Sequence, residues 1–206
     1  IDGTLGTGGH ALEILRLSSP TGRLLGIEWD GEALDYARMN LSGYGDRAIY
    51  VRENFKNIKD IAISLGIGHV DGILLDLGIS SIQLSDPERG FSFQKDGPLD
   101  MRMDGRRQKT AAQIVNSEPP EVIEEILRGY GEERWAKKIS LAIERERKNA
   151  PIDGSMRLAE IVRDAIPRRF HPRRIDPATR TFLALRVAVN EEYDNLRSFL
   201  ENAVSL

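Results

Sequence analysis

The first third of the chain alternates short apolar runs with amphipathic stretches. Residues 23–28, Arg-Leu-Leu-Gly-Ile-Glu, read as a short strand. Asp30 then stands as an N-cap before residues 31–41, where Ala33, Leu34, Ala37 and Leu41 recur at helical spacing. Residues 48–52 form a second strand-like run and residues 55–65 a helical one. Residues 71–77, Asp-Gly-Ile-Leu-Leu-Asp-Leu, carry the strongest strand pattern, an apolar run bounded by acids and glycine. Strands separated by helices predict a parallel, doubly wound α/β sheet.

Beyond Leu77 the pattern changes. Residues 78–107 are rich in Gly, Ser, Pro, Asp and Arg with little periodicity, and long ordered loops of this kind usually carry function. Helical patterns then follow one another. Thr110 caps a short one, Pro119-Pro120 opens residues 121–128, and Ser155 opens another that ends at Pro167. Residues 132–149 place Trp135, Ile139, Ala142 and Ile143 on one face and the pairs Glu133–Lys137 and Glu144–Lys148 on another. Asp176-Pro177 starts a last helix expected to run unbroken to Leu206, with the stripe Phe182, Leu185, Val189, Tyr193, Leu196, Leu200 and Val204. The expected organisation is a sheet domain formed by residues 1–104 and 176–206, with an all-helical insertion at residues 105–175. The chain opens on Ile1-Asp2-Gly3, which reads as the end of a strand, and closes in a helix with no strand after it, so a fragment is expected.

Composition narrows the chemistry. The absence of cysteine removes disulfides, thiolate metal sites and a cysteine nucleophile together. Three histidines, His10, His69 and His171, are too scattered for an evident metal site, and no metal is expected. No apolar stretch is long enough to span a membrane. The 29 basic and 32 acidic residues leave a net charge of −3, which excludes a uniformly basic nucleic-acid coat but leaves room for a local basic patch.

Gly6, Gly8 and Ala11 form a G-x-G-x-x-A loop, in which glycine lets the backbone turn tightly and approach a ligand. Glu28, twenty residues beyond Gly8 at the end of the next strand, can accept hydrogen bonds from both hydroxyls of a ribose. A dinucleotide would bring a pyrophosphate beside the Asp2 carboxylate, an unfavourable pairing. S-adenosylmethionine, with its ammonium and sulfonium, suits Asp2 and the strand-end acid Asp76 better.

Several strings resemble the ribosomal RNA small subunit methyltransferase H family, also called MraW. They are D-G-T-x-G-x-G-G-H from Asp2, D-L-G-I-S-S-x-Q-L from Asp76, R-G-F-S-F from Arg89, D-G-P-L-D-M-R-M-D from Asp96 to Asp104, Y-G-E-E from Tyr130, and T-R-T-F-x-A-L-R-x-x-V-N from Thr179 to Asn190. The resemblance covers essentially the whole chain. It implies a Rossmann-like class I methyltransferase sheet lacking its N-terminal start and C-terminal strands, with the helical insertion as an RNA-recognition domain. It implies methyl transfer from S-adenosylmethionine to the exocyclic N4 of a cytidine in the decoding region of small-subunit ribosomal RNA. It places cofactor contacts on Gly8, Gly9, His10, Glu28, Phe55, Asp76 and Gln83, with Glu28 where the family more usually has Asp and Phe55 lining the adenine site. The implied partner is small-subunit ribosomal RNA or the small ribosomal subunit, with a homodimer left open. The implied location is the bacterial cytoplasm, with an organelle left open.

Methyl transfer to cytosine N4 needs an acceptor for the N4 hydrogens, and Asp76, Asp100 and Asp104 are the candidate catalytic carboxylates. Phe91 and Phe93 could stack on an extruded base. Arg102, Arg106, Arg107 and Lys109, together with Arg168, Arg169, Arg173 and Arg174, are candidate phosphate contacts. Two alternatives stay open: a ribosome-assembly binding protein without turnover, and a dinucleotide-dependent oxidoreductase.

Overall fold

The computed structural model describes residues 1–206 as two compact units, residues 1–80 with 192–206 and residues 81–191. The first unit is built on a small parallel sheet. Strands β1 (Leu24–Ile27) and β2 (Ala48–Val51) pair in parallel, Leu24 against Ala48 through Ile27 against Val51. The segment at the start of the chain lies on the other side of β1. Asp2 N donates to Leu25 O at 2.8 Å, Ile27 N to Asp2 O at 2.8 Å and Leu5 N to Ile27 O at 3.0 Å. The same segment bridges Leu74, with Gly3 N donating to Leu74 O at 2.9 Å. Four parallel segments thus stand in the order 71–77, 1–5, β1, β2.

Helices cover both faces of this sheet. Helices α1 (Gly9–Leu17) and α2 (Gly31–Asn40) enclose Leu5, Ala11, Leu15, Leu24, Leu34, Ala37, Leu41 and Ala48. Helix α3 (Ile58–Ser64) and a later helix at Glu192–Ala203 cover the opposite face with Leu25, Ile27, Phe55, Ile58, Ile61 and Phe199. Adjacent Leu24 and Leu25 therefore serve different layers, and β1 is buried on both sides, as central parallel strands are. The expected cap forms: Asp30 Oδ1 accepts the Glu32 amide at 3.0 Å. The run 71–77 departs from expectation. It lies at a sheet edge with the single bridge at Leu74, and Ile73, Leu74 and Leu75 are only half-buried.

The second unit contains helices α4 (Ser81–Ser85), α5 (Ala111–Ser117), α6 (Pro120–Gly131), α7 (Ala136–Arg147), α8 (Ser155–Ala165) and α9 (Thr179–Asn190). Helix α6 packs on α7 and α9, and α7 packs on α5 and α8. The irregular segment before them belongs to this unit. Leu99, Met101 and Met103 are buried, Leu99 N donates to Asp153 O at 2.7 Å, and Pro98 bridges Gly154. The unit boundaries consequently fall at 80/81 and 191/192 rather than at 104/105 and 175/176. No strand forms within residues 105–175, where Gly154 makes only an isolated bridge.

The expected unbroken last helix is two helices. Glu191 adopts φ 54° and ψ 39°, ends α9, and separates it from α10 (Glu192–Ala203). Phe182, Leu185 and Val189 are buried in α9, but Tyr193, Leu200 and Val204 are exposed, and α10 buries Asn195 and Phe199. A one-residue break rotates the later stripe, which the 3.6-residue period cannot register. Glu132 likewise ends α6 in a left-handed conformation, so α7 starts only at Ala136. Glu144 pairs with Lys148 at 3.1 Å as expected, while Glu133 is buried and accepts the Trp135 amide at 2.8 Å.

Candidate cofactor site

The glycine loop, the end of β1 and residue 76 meet at one end of the first unit's sheet. Gly8 has φ 89° and precedes α1 without a side-chain cap, and no acid stands in the first turn. The leading amides of α1 therefore have no side-chain acceptor within the protein. Leu41 packs behind Gly8, where a Cβ would come within 3.1 Å of Leu41 Cδ1. Substitution there would be strained on both counts.

Glu28 binds the loop from β1. Its Oε2 accepts the Gly6 amide at 2.8 Å and its Oε1 accepts the Asp30 amide at 2.9 Å. Burial pushes the Glu28 carboxyl up to about 6, against the lowering effect of those two backbone bonds. A carboxylate accepts about four hydrogen bonds, and two remain for a ligand. Asp2 is fully buried, and only its Oδ1 is bonded, to the Thr4 amide at 3.1 Å. Its Oδ2 has no partner, and burial raises its pKa. Asp2 lies close enough to His10 and Asp76 for their charges to act on it. Asp76 is held at the strand end by its own amide, which donates to Thr4 Oγ1 at 2.6 Å. Its carboxylate is exposed and lies 3.8 Å from His10 Nδ1. Three carboxylates and one orphaned acceptor at this end fit a cationic ligand that also carries a diol.

Gly8, Gly9, His10, Glu28 and Asp76 are thus brought together in the first unit. Phe55 is in the same unit, buried beside Gly3, edge-on to Phe199 at 5.7 Å and tilted to Trp29 at 6.4 Å. Gln83, Asp100 and Asp104 belong to the second unit, Gln83 buried on α4. Asp100 accepts Arg102 Nε at 2.8 Å, Arg102 Nη2 at 2.7 Å and the Arg102 amide at 3.0 Å. Burial works to raise the Asp100 carboxyl, and the Arg102 bonds together outweigh it and hold it below the usual carboxylate range. Asp104 repeats the arrangement two residues before Arg106, with Nε at 2.9 Å and Nη2 at 2.8 Å. A carboxylate clasped by a guanidinium is a weak proton acceptor. Phe91 is buried, and Phe93 packs edge-on to Phe182 at 4.7 Å, so both serve local packing.

The basic residues after Asp100 are engaged internally: Arg107 with Glu191 at 2.7 Å and Lys109 with Glu118 at 2.8 Å, beside the two Asp–Arg pairs. Arg163 pairs with Asp176 at 2.8 Å. Arg168, Arg169, Arg173 and Arg174 are exposed and make no ion pair. Sequence reasoning passed over two groups. The first is Asn190, fully buried, whose Nδ2 donates to Met101 O at 2.7 Å and whose Oδ1 accepts the Met103 amide at 2.8 Å. The second is the tilted ring pair Trp135 and Phe170, 5.2 Å apart. An aromatic inside an arginine run was the available signal for the latter. No group of three or more His, Asp or Glu is placed to hold a metal ion, and no helix is long and apolar enough to cross a membrane.

Residues 1–206 match the MraW methylase family. The chain is 47% identical over its full length to a ribosomal RNA small subunit methyltransferase H of Syntrophobacter fumaroxidans, of which it covers 65%. It is 49% identical over its full length to that of Syntrophotalea carbinolica, covering 66%, and 49% identical over 204 residues to that of Symbiobacterium thermophilum, covering 64%. The chain thus spans about two thirds of the length of these curated relatives.

Proposed function

The chain belongs to the MraW methylase family, and we propose that it transfers a methyl group from S-adenosylmethionine to the exocyclic N4 of a cytidine in the decoding region of small-subunit ribosomal RNA. The parallel order 71–77, 1–5, β1, β2 with helices on both faces supports a Rossmann-like class I methyltransferase sheet, and the strand-free run 105–175 supports a helical insertion. The names of the relatives support ribosomal RNA as substrate.

The observation that carries the cofactor reading is Glu28, bound to the glycine loop with two acceptor positions left, beside the orphaned Asp2 Oδ2. Glu28 would take the ribose hydroxyls, and the amides of Gly9 and His10 a carboxylate. Asp2 and Asp76 place negative charge where an ammonium and a sulfonium are stabilised. When bound, S-adenosylmethionine supplies an electrophilic methyl group. Asp76 is the residue proposed to accept the N4 proton, because its carboxylate is exposed at the strand end and no arginine clasps it. Asp100 and Asp104 are proposed as supports of the loop that carries them.

The test is labelled methyl transfer to small-subunit particles by the protein carrying this chain, with the modified nucleoside identified by mass spectrometry. N4-methylcytidine is the expected product. Cofactor binding without transfer to any particle or RNA would favour the assembly-factor reading.

A further inference from the structure

Charge pairing distinguishes two basic clusters of the second unit. Those at 102–109 are consumed by internal ion pairs. The run Arg168-Arg169-Phe170-His171-Pro172-Arg173-Arg174 has four exposed arginines, no acid and no ion pair. Four solvated cations in seven residues repel one another, a cost that folding alone does not require.

A tilted aromatic pair lies beside this charge. Phe170 is 46% exposed and contacts the half-buried Trp135 at 5.2 Å with a 45° tilt. Arg169 covers the Phe170 ring at 4.8 Å, and Lys138 Nζ lies 4.9 Å from the Trp135 ring centre. The result is a ladder of cation, ring, ring, cation open to solvent along one side. The His171 ring fixes the loop, with Nε2 2.9 Å from Ile166 O.

We propose that Trp135, Phe170 and Arg169 form a stacking platform for an unpaired RNA base, with Arg168, Arg173 and Arg174 meeting the flanking phosphates. The inference rests on the reading above that the chain acts on RNA. Guanidinium planes and aromatic faces both stack on bases, and unpaired arginines beside them suit a backbone carrying one charge per nucleotide. An acidic polypeptide would match the charge but bring no planar group to the exposed Phe170 ring and the Arg169 guanidinium.

The experiment uses this chain with Trp29→Phe, which leaves Trp135 as the only indole of the two tryptophans. Single-stranded oligouridylate is titrated against it while Trp135 emission is followed, at several salt concentrations. Quenching is expected, weaker with an abasic oligomer of equal length and absent with polyglutamate. Phe170→Ala should weaken binding by about 5- to 150-fold with an unchanged salt slope, and Phe170→Tyr should restore it. Arg168→Glu with Arg169→Glu should flatten the slope instead. Parent-like affinity in Phe170→Ala, or equal binding of the abasic oligomer, overturns the platform while leaving RNA binding intact. Equal quenching by polyglutamate assigns the surface to an acidic protein. Absence of any salt-dependent RNA binding by the parent overturns both the platform and the reading it rests on.

Discussion

Glu28 and Gly6 are joined by a 2.8 Å hydrogen bond in which the Gly6 amide donates to Glu28 Oε2. The bond links the end of one strand to the loop that follows the neighbouring segment. Gly6 has φ 53°, and the bond holds the loop in that left-handed turn. A carboxylate has thus been buried for the sake of a position, and the cost appears in its raised pKa.

That cost makes Glu28 a source of pH dependence. Folded, it releases its proton at about 6, against an ordinary value of 4.5. The stability it contributes is fully present below 4.5 and is lost as pH rises through about 6, by roughly 2 kcal/mol. Affinity for S-adenosylmethionine should move the other way, rising through the same window as the ionised carboxylate becomes available to the ribose. Calorimetry from pH 5 to 8 should show proton release on binding near pH 6. In Glu28→Gln both the release and the pH dependence should vanish.

Asp76→Asn should lower methyl transfer by ~10²-fold or more, with a smaller loss of cofactor affinity. Asn keeps the shape but accepts no proton. Single-turnover transfer and equilibrium binding, measured side by side, check this. An equal fall in both would make Asp76 a cofactor ligand only.

Asp100→Asn should act on folding. It breaks the two-pronged contact with the partly buried Arg102, at a cost of about 1.5–3 kcal/mol. Urea denaturation should report that loss, while turnover per folded molecule stays near parent. Selective loss of turnover would return Asp100 to the catalytic candidates.

The family resemblance places Phe55 at the adenine site, and the structure makes it a packing residue as well. Its 8% exposure and its edge contact with Phe199 predict a cost to the fold on its removal. Phe55→Ala should destabilise the first unit by about 3–5 kcal/mol, and Phe55→Leu by much less. Thermal unfolding of both variants checks it. A stable Phe55→Ala protein that binds cofactor weakly would place the ring at the ligand.

The D-G-P-L-D-M-R-M-D string shows why a recognisable motif need not be a catalytic one. Asp96 Oδ1 accepts the Met156 amide at 3.1 Å at the start of α8. A Cβ on Gly97 would fall 2.0 Å from Pro87 O. Asp100 and Asp104 hold their arginines. These contacts give Asp96, Gly97, Asp100 and Asp104 packing or charge roles within the second unit.

The alternation of apolar runs and helical stripes determined the parallel sheet and its helices, because burial on two faces leaves a period in the sequence. The glycine loop and Glu28 were legible for a similar reason: backbone conformation and strand-end position are local. What local pattern does not encode is which partner satisfies a charge. Arg107 reads like Arg168, Arg169 and Arg173 in the sequence, yet it is paired, with Glu191, and they are not. Nor does it encode a single left-handed residue, so Glu191 split a helix that the periodicity carried through. Only the tertiary structure decided these: Arg107 finds its acid at Glu191, far along the chain, and the left-handed turn at Glu191 leaves no mark in a hydrophobic period.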